Sequence, residues 1–150
     1  MLRAVPLLAA ILAGACAAPE DPARVELRAR LQQQEKLSPE EIGRVFDEVS
    51  RSLEGKTLRI VQASPGEIDA AGRDVVLGML TERAGVFDEG LRTADGAALR
   101  VFNAPGRSAT AEIEASRRLF VDVRSFLPRR FEFAHAFTSP DDYQFDLIVE

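Results

Sequence analysis

The chain has no tryptophan, one tyrosine, one histidine and one cysteine among its 150 residues. Each scarcity removes a class of chemistry. A lone cysteine closes no disulfide within the chain, and with a single histidine it leaves too few nitrogen and sulfur ligands for a zinc site. Hydrolytic triads need a nucleophile, a base and an orienting group, and no serine sits in the context of a nucleophile elbow. Glycine-rich phosphate loops and dinucleotide fingerprints are missing too. No metal and no cofactor is expected. Positive charge is short: 19 Lys and Arg stand against 24 Asp and Glu, a formal net charge of -5. That disfavours non-specific binding to nucleic acid or to an anionic bilayer, both of which require a positive field. The longest apolar run, residues 4–18 on a generous count, spans 15 positions. A membrane-spanning helix needs about 20.

What is present is globular. Hydrophobic residues make up 46% and charged residues 29%, and the length suits one domain of ordinary size. All but one of the nine Phe lie at or beyond Phe87, so the C-terminal part must build most of the aromatic core.

The single thiol falls in "ILAGACAAPEDP", after an apolar run and before a stretch no core would accept. Arg3 supplies a short positive region, and residues 4–12 form a nine-residue apolar segment. Ala13, Gly14 and Ala15 are small, which completes the layout of a secretory signal. "AGAC" resembles the lipobox of bacterial lipoproteins. It matches at the two positions before Cys16 and departs at Ala13, where a larger aliphatic residue is usual. The resemblance implies that the Cys16 thiolate takes a diacylglyceryl group and that cleavage exposes its amine for a third acyl chain. One chain holds a protein only marginally, at about 0.8 kcal/mol per buried methylene, whereas two or more anchor it stably. Ala17 stands where an Asp would retain an enteric-type lipoprotein in the inner membrane, so the implied address is the outer membrane, facing the periplasm. Two other readings stay open. Ordinary signal-peptidase cleavage has small-x-small sites ending at Ala15 or Ala17, and a retained anchor helix is the third reading. Cleavage before Cys16 leaves 135 residues and, with Arg3 lost, a charge of -6.

Residues 16–38 read as a tether followed by a weak helix, and 39–150 as a single α+β domain. Asp21 and Pro22 start a helix over 22–36 whose narrow stripe (Leu27, Leu31) and glutamine run leave it either packing weakly or standing as a stalk. The strongest local signal follows. Ser38, Pro39 and Glu41 form a capping box, with Leu37 and Ile42 placed as a hydrophobic staple. Ile42, Val45, Phe46, Val49 and Leu53 make one apolar stripe up to Gly55. Glu40, Arg44, Asp47, Glu48 and Arg51 lie away from it as a solvated face. Residues 56–63 read as a strand. "SPGE" opens a third helix ending near Glu82, its inward face being Ile68, Ala71, Val75 and Met79.

Beyond Gly85 the period changes to two. A three-residue loop at Ala94, Asp95 and Gly96 would set Leu91 opposite Leu99 and Glu89 opposite Val101. Residues 109–127 fit either a strand or a helix, and the continuing alternation favours strands. Phe131, Phe133, His135 and Phe137 share one strand face, as do Tyr143, Phe145, Leu147 and Val149. Phe120, Phe126, Ala134, Ala136 and Ile148 occupy the opposite rows, so apolar material is expected on both sides of part of the sheet. The expected fold is α+β, with helices packed on a curved, mostly antiparallel sheet of five to seven strands. Its element order is similar to the NTF2-like and cystatin-like cone folds, which often enclose an apolar cavity.

Candidate site residues are few. Cys16 is the lipidation site. Phe131, Phe133, His135 and Phe137 are pocket candidates, with His135 either a core histidine or an acid–base group beside a carboxylate such as Glu132 or Asp122. Arg117 with Arg118, and Arg129 with Arg130, read as solvated turn residues or as contacts for anionic groups. The expectation is an exported, lipid-anchored envelope protein that binds an envelope protein or an apolar ligand. The alternatives are a cone-fold cavity enzyme using His135 and a carrier of apolar molecules.

Overall fold

The computed structural model describes residues 19–61, 67–107, 114–135 and 144–150. Three helices lie against a six-stranded antiparallel sheet that is not closed into a barrel. The helices are α1 (Pro22–Leu31), α2 (Pro39–Leu53) and α3 (Glu67–Thr81). The strands are β1 (Leu58–Val61), β2 (Phe87–Ala94), β3 (Ala97–Arg107), β4 (Glu114–Asp122), β5 (Pro128–His135) and β6 (Gln144–Val149), in the order β1-β6-β5-β4-β3-β2. Residues 114–122 are therefore strand, as the alternation indicated; residues 109–113 lie outside the described residues, as do Phe137 and Tyr143.

Helix α2 forms where its local code says it should. The Ser38 hydroxyl accepts the Glu41 N–H, and the Glu41 carboxylate accepts the Ser38 N–H. Those two bonds satisfy donors that a helix start leaves free. Those bonds, that from Ser38 first, and the Arg30 guanidinium hold the Glu41 carboxyl below its ordinary range. All five residues of the predicted stripe are buried, and so are Leu37 and Ile42 of the staple. Glu48 departs from the expected solvated face: it is 8% exposed, paired with Arg24 at 3.4 Å and with Arg51. The reason is α1, which lies across that side of α2 and brings Arg24 with it.

Helix α1 stops at Leu31 rather than continuing to residue 36. Leu27 and Leu31 join the main core, together with α2, α3 and the strands. The helix ends because the carbonyls of Leu31, Gln33 and Glu35 turn toward Arg100 of β3. In α3 the described buried residues are Val76, Met79 and Leu80.

The β2–β3 hairpin corrects the expected register. Ala94 pairs with Ala97, so the loop has two residues, Asp95 at φ 51° and Gly96 at φ 76°. Positive φ at both central positions is the turn whose twist matches paired strands, and Asp-Gly is among its favoured sequences. Leu91 consequently faces Arg100, and Arg92 faces Leu99. Glu89 pairs with no residue of β3, because the register shifts between Asp88 and Gly90.

All helical core residues belong to one cluster with Leu58, Ile60, Phe102, Ala104, Leu119, Val121, Phe131, Phe145 and Leu147. At its centre the Phe46 and Phe102 rings meet edge to face, 5.2 Å apart. The other face of the sheet carries a separate small cluster, Leu99, Val101 and Phe120, with no helical residue in it. Apolar material on both sides of the sheet was expected, but Phe126 belongs to the helical side. It sits in the β4–β5 turn at φ 59° and is fully buried in the main core.

Candidate functional site

Of the candidate pocket residues, Phe131, Phe133 and His135 stand at alternate positions of β5. Phe131 is a core residue, 2% exposed and stacked on Phe145 with ring centroids 6.5 Å apart. Phe133 and His135 follow it on β5, opposite Arg117 and Ala115 of β4. Cys16 and Phe137 lie outside the described residues. Asp122 pairs with Leu99 at the far end of β4, seven positions from Ala115, or about 23 Å along a strand. Its carboxylate accepts the Arg124 and Ser125 N–H groups and faces Arg129 at 3.6 Å. Glu132 is in register with Arg118 on the outer face and pairs with it at 3.6 Å. Between α1, α2 and the sheet, Leu31, Val45, Phe46, Val49, Phe102, Leu119 and Val121 are all at 0% exposure. Packed side chains fill that part of the interior. Among the described residues no group of three His, Cys, Asp or Glu could hold a metal ion.

The paired arginines are strand residues rather than turn residues, and three of the four make ion pairs on the outer face. Arg118 reaches Glu89 at 3.0 Å, and Arg130 reaches Asp146 at 3.2 Å. Glu89, the bulge residue, also accepts the Asn103 amide at 2.8 Å and faces Arg92 at 3.4 Å. Asn103 is 6% exposed, and its Oδ1 has no hydrogen-bond partner among the described residues. Phe120 lies beneath the Arg92 and Arg130 guanidinium groups, each 6.0 Å from the ring centroid. Near the hairpin a shallow dish of about 270 Å³ is floored by Ala94, Ala97 and Leu99 and rimmed by Asp95, Asp122, Arg129, Arg130 and Asp146. This outer face offers hydrogen-bonding and stacking groups.

Two features escaped the sequence reading. The first is the ion pair of Asp88 and Arg100, which clamps the α1–α2 connection to the sheet. Asp88 accepts the Leu37 N–H at 2.8 Å and the Gly90 N–H at 2.7 Å in addition to the guanidinium. Burial alone would raise the Asp88 carboxyl; the Arg100 guanidinium and those two N–H groups outweigh it and hold it below the usual aspartate range. A signal existed: Arg100 stands in "LRVF", charged among apolar residues on both strand faces.

The second is a groove at the N-terminal end of α1, two of whose lining arginines cover the buried Phe126. Arg24 and Arg28 lie over its ring at 5.2 and 5.6 Å. The Arg28 Nε donates to the Arg124 carbonyl at 2.8 Å, and its two terminal nitrogens grip Glu20. That grip holds the Glu20 carboxyl below its ordinary value. The groove takes in residues of α1, the end of α2 and the β4–β5 turn.

Comparison of the chain with protein-family models, with curated proteins and with solved structures finds no match.

Proposed function

We propose that the protein is an exported lipoprotein, anchored through acylated Cys16 on the periplasmic side of the outer membrane, whose α+β domain acts by binding rather than by catalysis. The observation that carries this is the "AGAC" site ending a signal-like segment only five residues before Asp21, the cap of the first helix. Such spacing leaves a tether of at most about 18 Å between a lipid and a folded body. Among the described residues no helix is long and apolar enough to cross a membrane.

The binding half of the reading is supported by the sheet face opposite the helices, with its paired charges, the Asn103 Oδ1 that has no partner among the described residues, and the Phe120 ring beneath two guanidinium groups. The separation of His135 from Asp122, and the engagement of Glu132 by Arg118, argue against acid–base chemistry through those partners. Cell fractionation of the Cys16→Ser variant tests the anchor. The acyl-bearing membrane form should disappear, and an unchanged membrane form would contradict it.

A further inference from the structure

We infer that the groove at the N-terminal end of α1 is a second membrane contact, one that receives anionic phospholipid headgroups and sets the orientation of the anchored domain. This rests on the anchor reading above. Among the described residues, three grooves differ in the sign of their charge. The one between α1 and α2 is lined by five carboxylates and three guanidinium groups, and the dish on the outer sheet face by three carboxylates and two. The groove at the N-terminal end of α1 reverses the balance. It gathers Arg24, Arg28, Arg51, Lys56 and Arg124 against Glu20, Glu48 and Glu54.

Within it the charges are unequally spent. Glu20 and Glu48 are taken up by Arg24, Arg28 and Arg51. Lys56, Arg124 and Glu54 make no ion pair among the described residues, and all three are exposed. Two cations against one carboxylate are left for a headgroup phosphate to meet.

Position makes the sign matter. Glu20 is itself part of the groove and lies four residues from Cys16, at most about 14 Å of extended chain. The screening length at physiological ionic strength is about 8 Å, so the groove feels a surface potential when the tether is folded back and largely loses it at full extension. The chain as a whole is acidic, and on charge alone an anionic bilayer would repel it. A body with one cationic end and acidic surroundings is turned by that field, cationic end down. Each Lys or Arg near such a surface is worth about a fivefold change in partitioning. Lipid phosphate and lipid anchor would then act together as two attachments.

The test uses the full acylated chain in vesicles of phosphatidylcholine alone or of phosphatidylcholine with phosphatidylglycerol, read by amide hydrogen exchange. Residues 51–56 and 123–127 should exchange several-fold more slowly on the anionic vesicles. The start of α2, about 22 Å away along that helix, should not change. Lys56→Glu with Arg124→Glu should abolish the difference, as should high salt. Equal exchange on the two lipids, or protection that survives the double substitution, overturns the inference. Acylation is read separately, from intact mass. A chain without acyl groups overturns the anchor, and the same exchange comparison on added vesicles still decides the groove.

Discussion

Arg100 and Asp88 stand on adjacent strands with their charged groups shut away from solvent, and every N–H of the guanidinium ends on an oxygen. Nε and one Nη2 hydrogen go to the Asp88 carboxylate; the others go to the carbonyls of Leu31, Gln33 and Glu35. One side chain thus fixes the end of α1, the α1–α2 connection and the first hairpin relative to one another. Removing one partner of a buried pair leaves an uncompensated charge, at a cost of about 3–5 kcal/mol. Arg100→Leu should lose that much in urea unfolding. Arg100→Lys should recover only part of it, because one ammonium cannot span a carboxylate and three carbonyls. A loss for Arg100→Leu within the scatter of surface substitutions would contradict the clamp.

The same pair sets an acid dependence. The folded Asp88 carboxyl lies below its unfolded value, so its contribution to stability is complete above the unfolded value of about 3.9. It is lost as pH falls from there through the folded value. Stability measured by urea unfolding should therefore decline below about pH 4, and Asp88→Asn should flatten that decline while lowering stability at neutral pH. An equally steep decline in Asp88→Asn would assign it to other carboxylates.

The hairpin turn requires left-handed backbone at Gly96, where φ is 76°. An L-residue pays about 1–2 kcal/mol there, so Gly96→Ala should destabilise by that amount. Asp95 tolerates the conformation better, and Asp95→Asn should be close to neutral. Thermal unfolding of the two variants checks the pair, and reversed effects would return the turn to a three-residue loop.

Phe126 combines a left-handed backbone with full burial beneath Arg24 and Arg28. Truncating a buried Phe costs about 3–5 kcal/mol. Phe126→Ala should fall in that range and should speed amide exchange in α1 more than in α3, because α1 loses the ring its arginines rest on. Uniform acceleration across the domain would show that the ring serves the core alone.

What was legible in the sequence was local. Helix α2 is written in contacts no more than five residues apart, such as Ser38 to Glu41 and Leu37 to Ile42. The α+β class followed from the change of period near Gly85. The hairpin's position was readable from Ala94, Asp95 and Gly96, but not its register, since both a two- and a three-residue loop suit Asp-Gly and the bulge at Glu89 shifts the pairing again. Arg100 was missed because its carbonyl partners lie 65 to 69 residues away in a glutamine-rich stretch that looked like helix. Glu48 was misread because the helix that covers it depends on Arg24, an interaction no spacing rule encodes. Of the candidate pocket residues, Phe131 proved to be core: a phenylalanine row on a strand does not say whether a cavity or Phe145 lies against it.

The most direct measurement is the intact mass of the protein extracted from membranes. The account predicts a chain beginning at Cys16 and heavier by its acyl groups, reverting to an unacylated product in Cys16→Ser. A membrane-extracted chain that begins at Met1, or one that begins near residue 16 with an unmodified thiol, would contradict it.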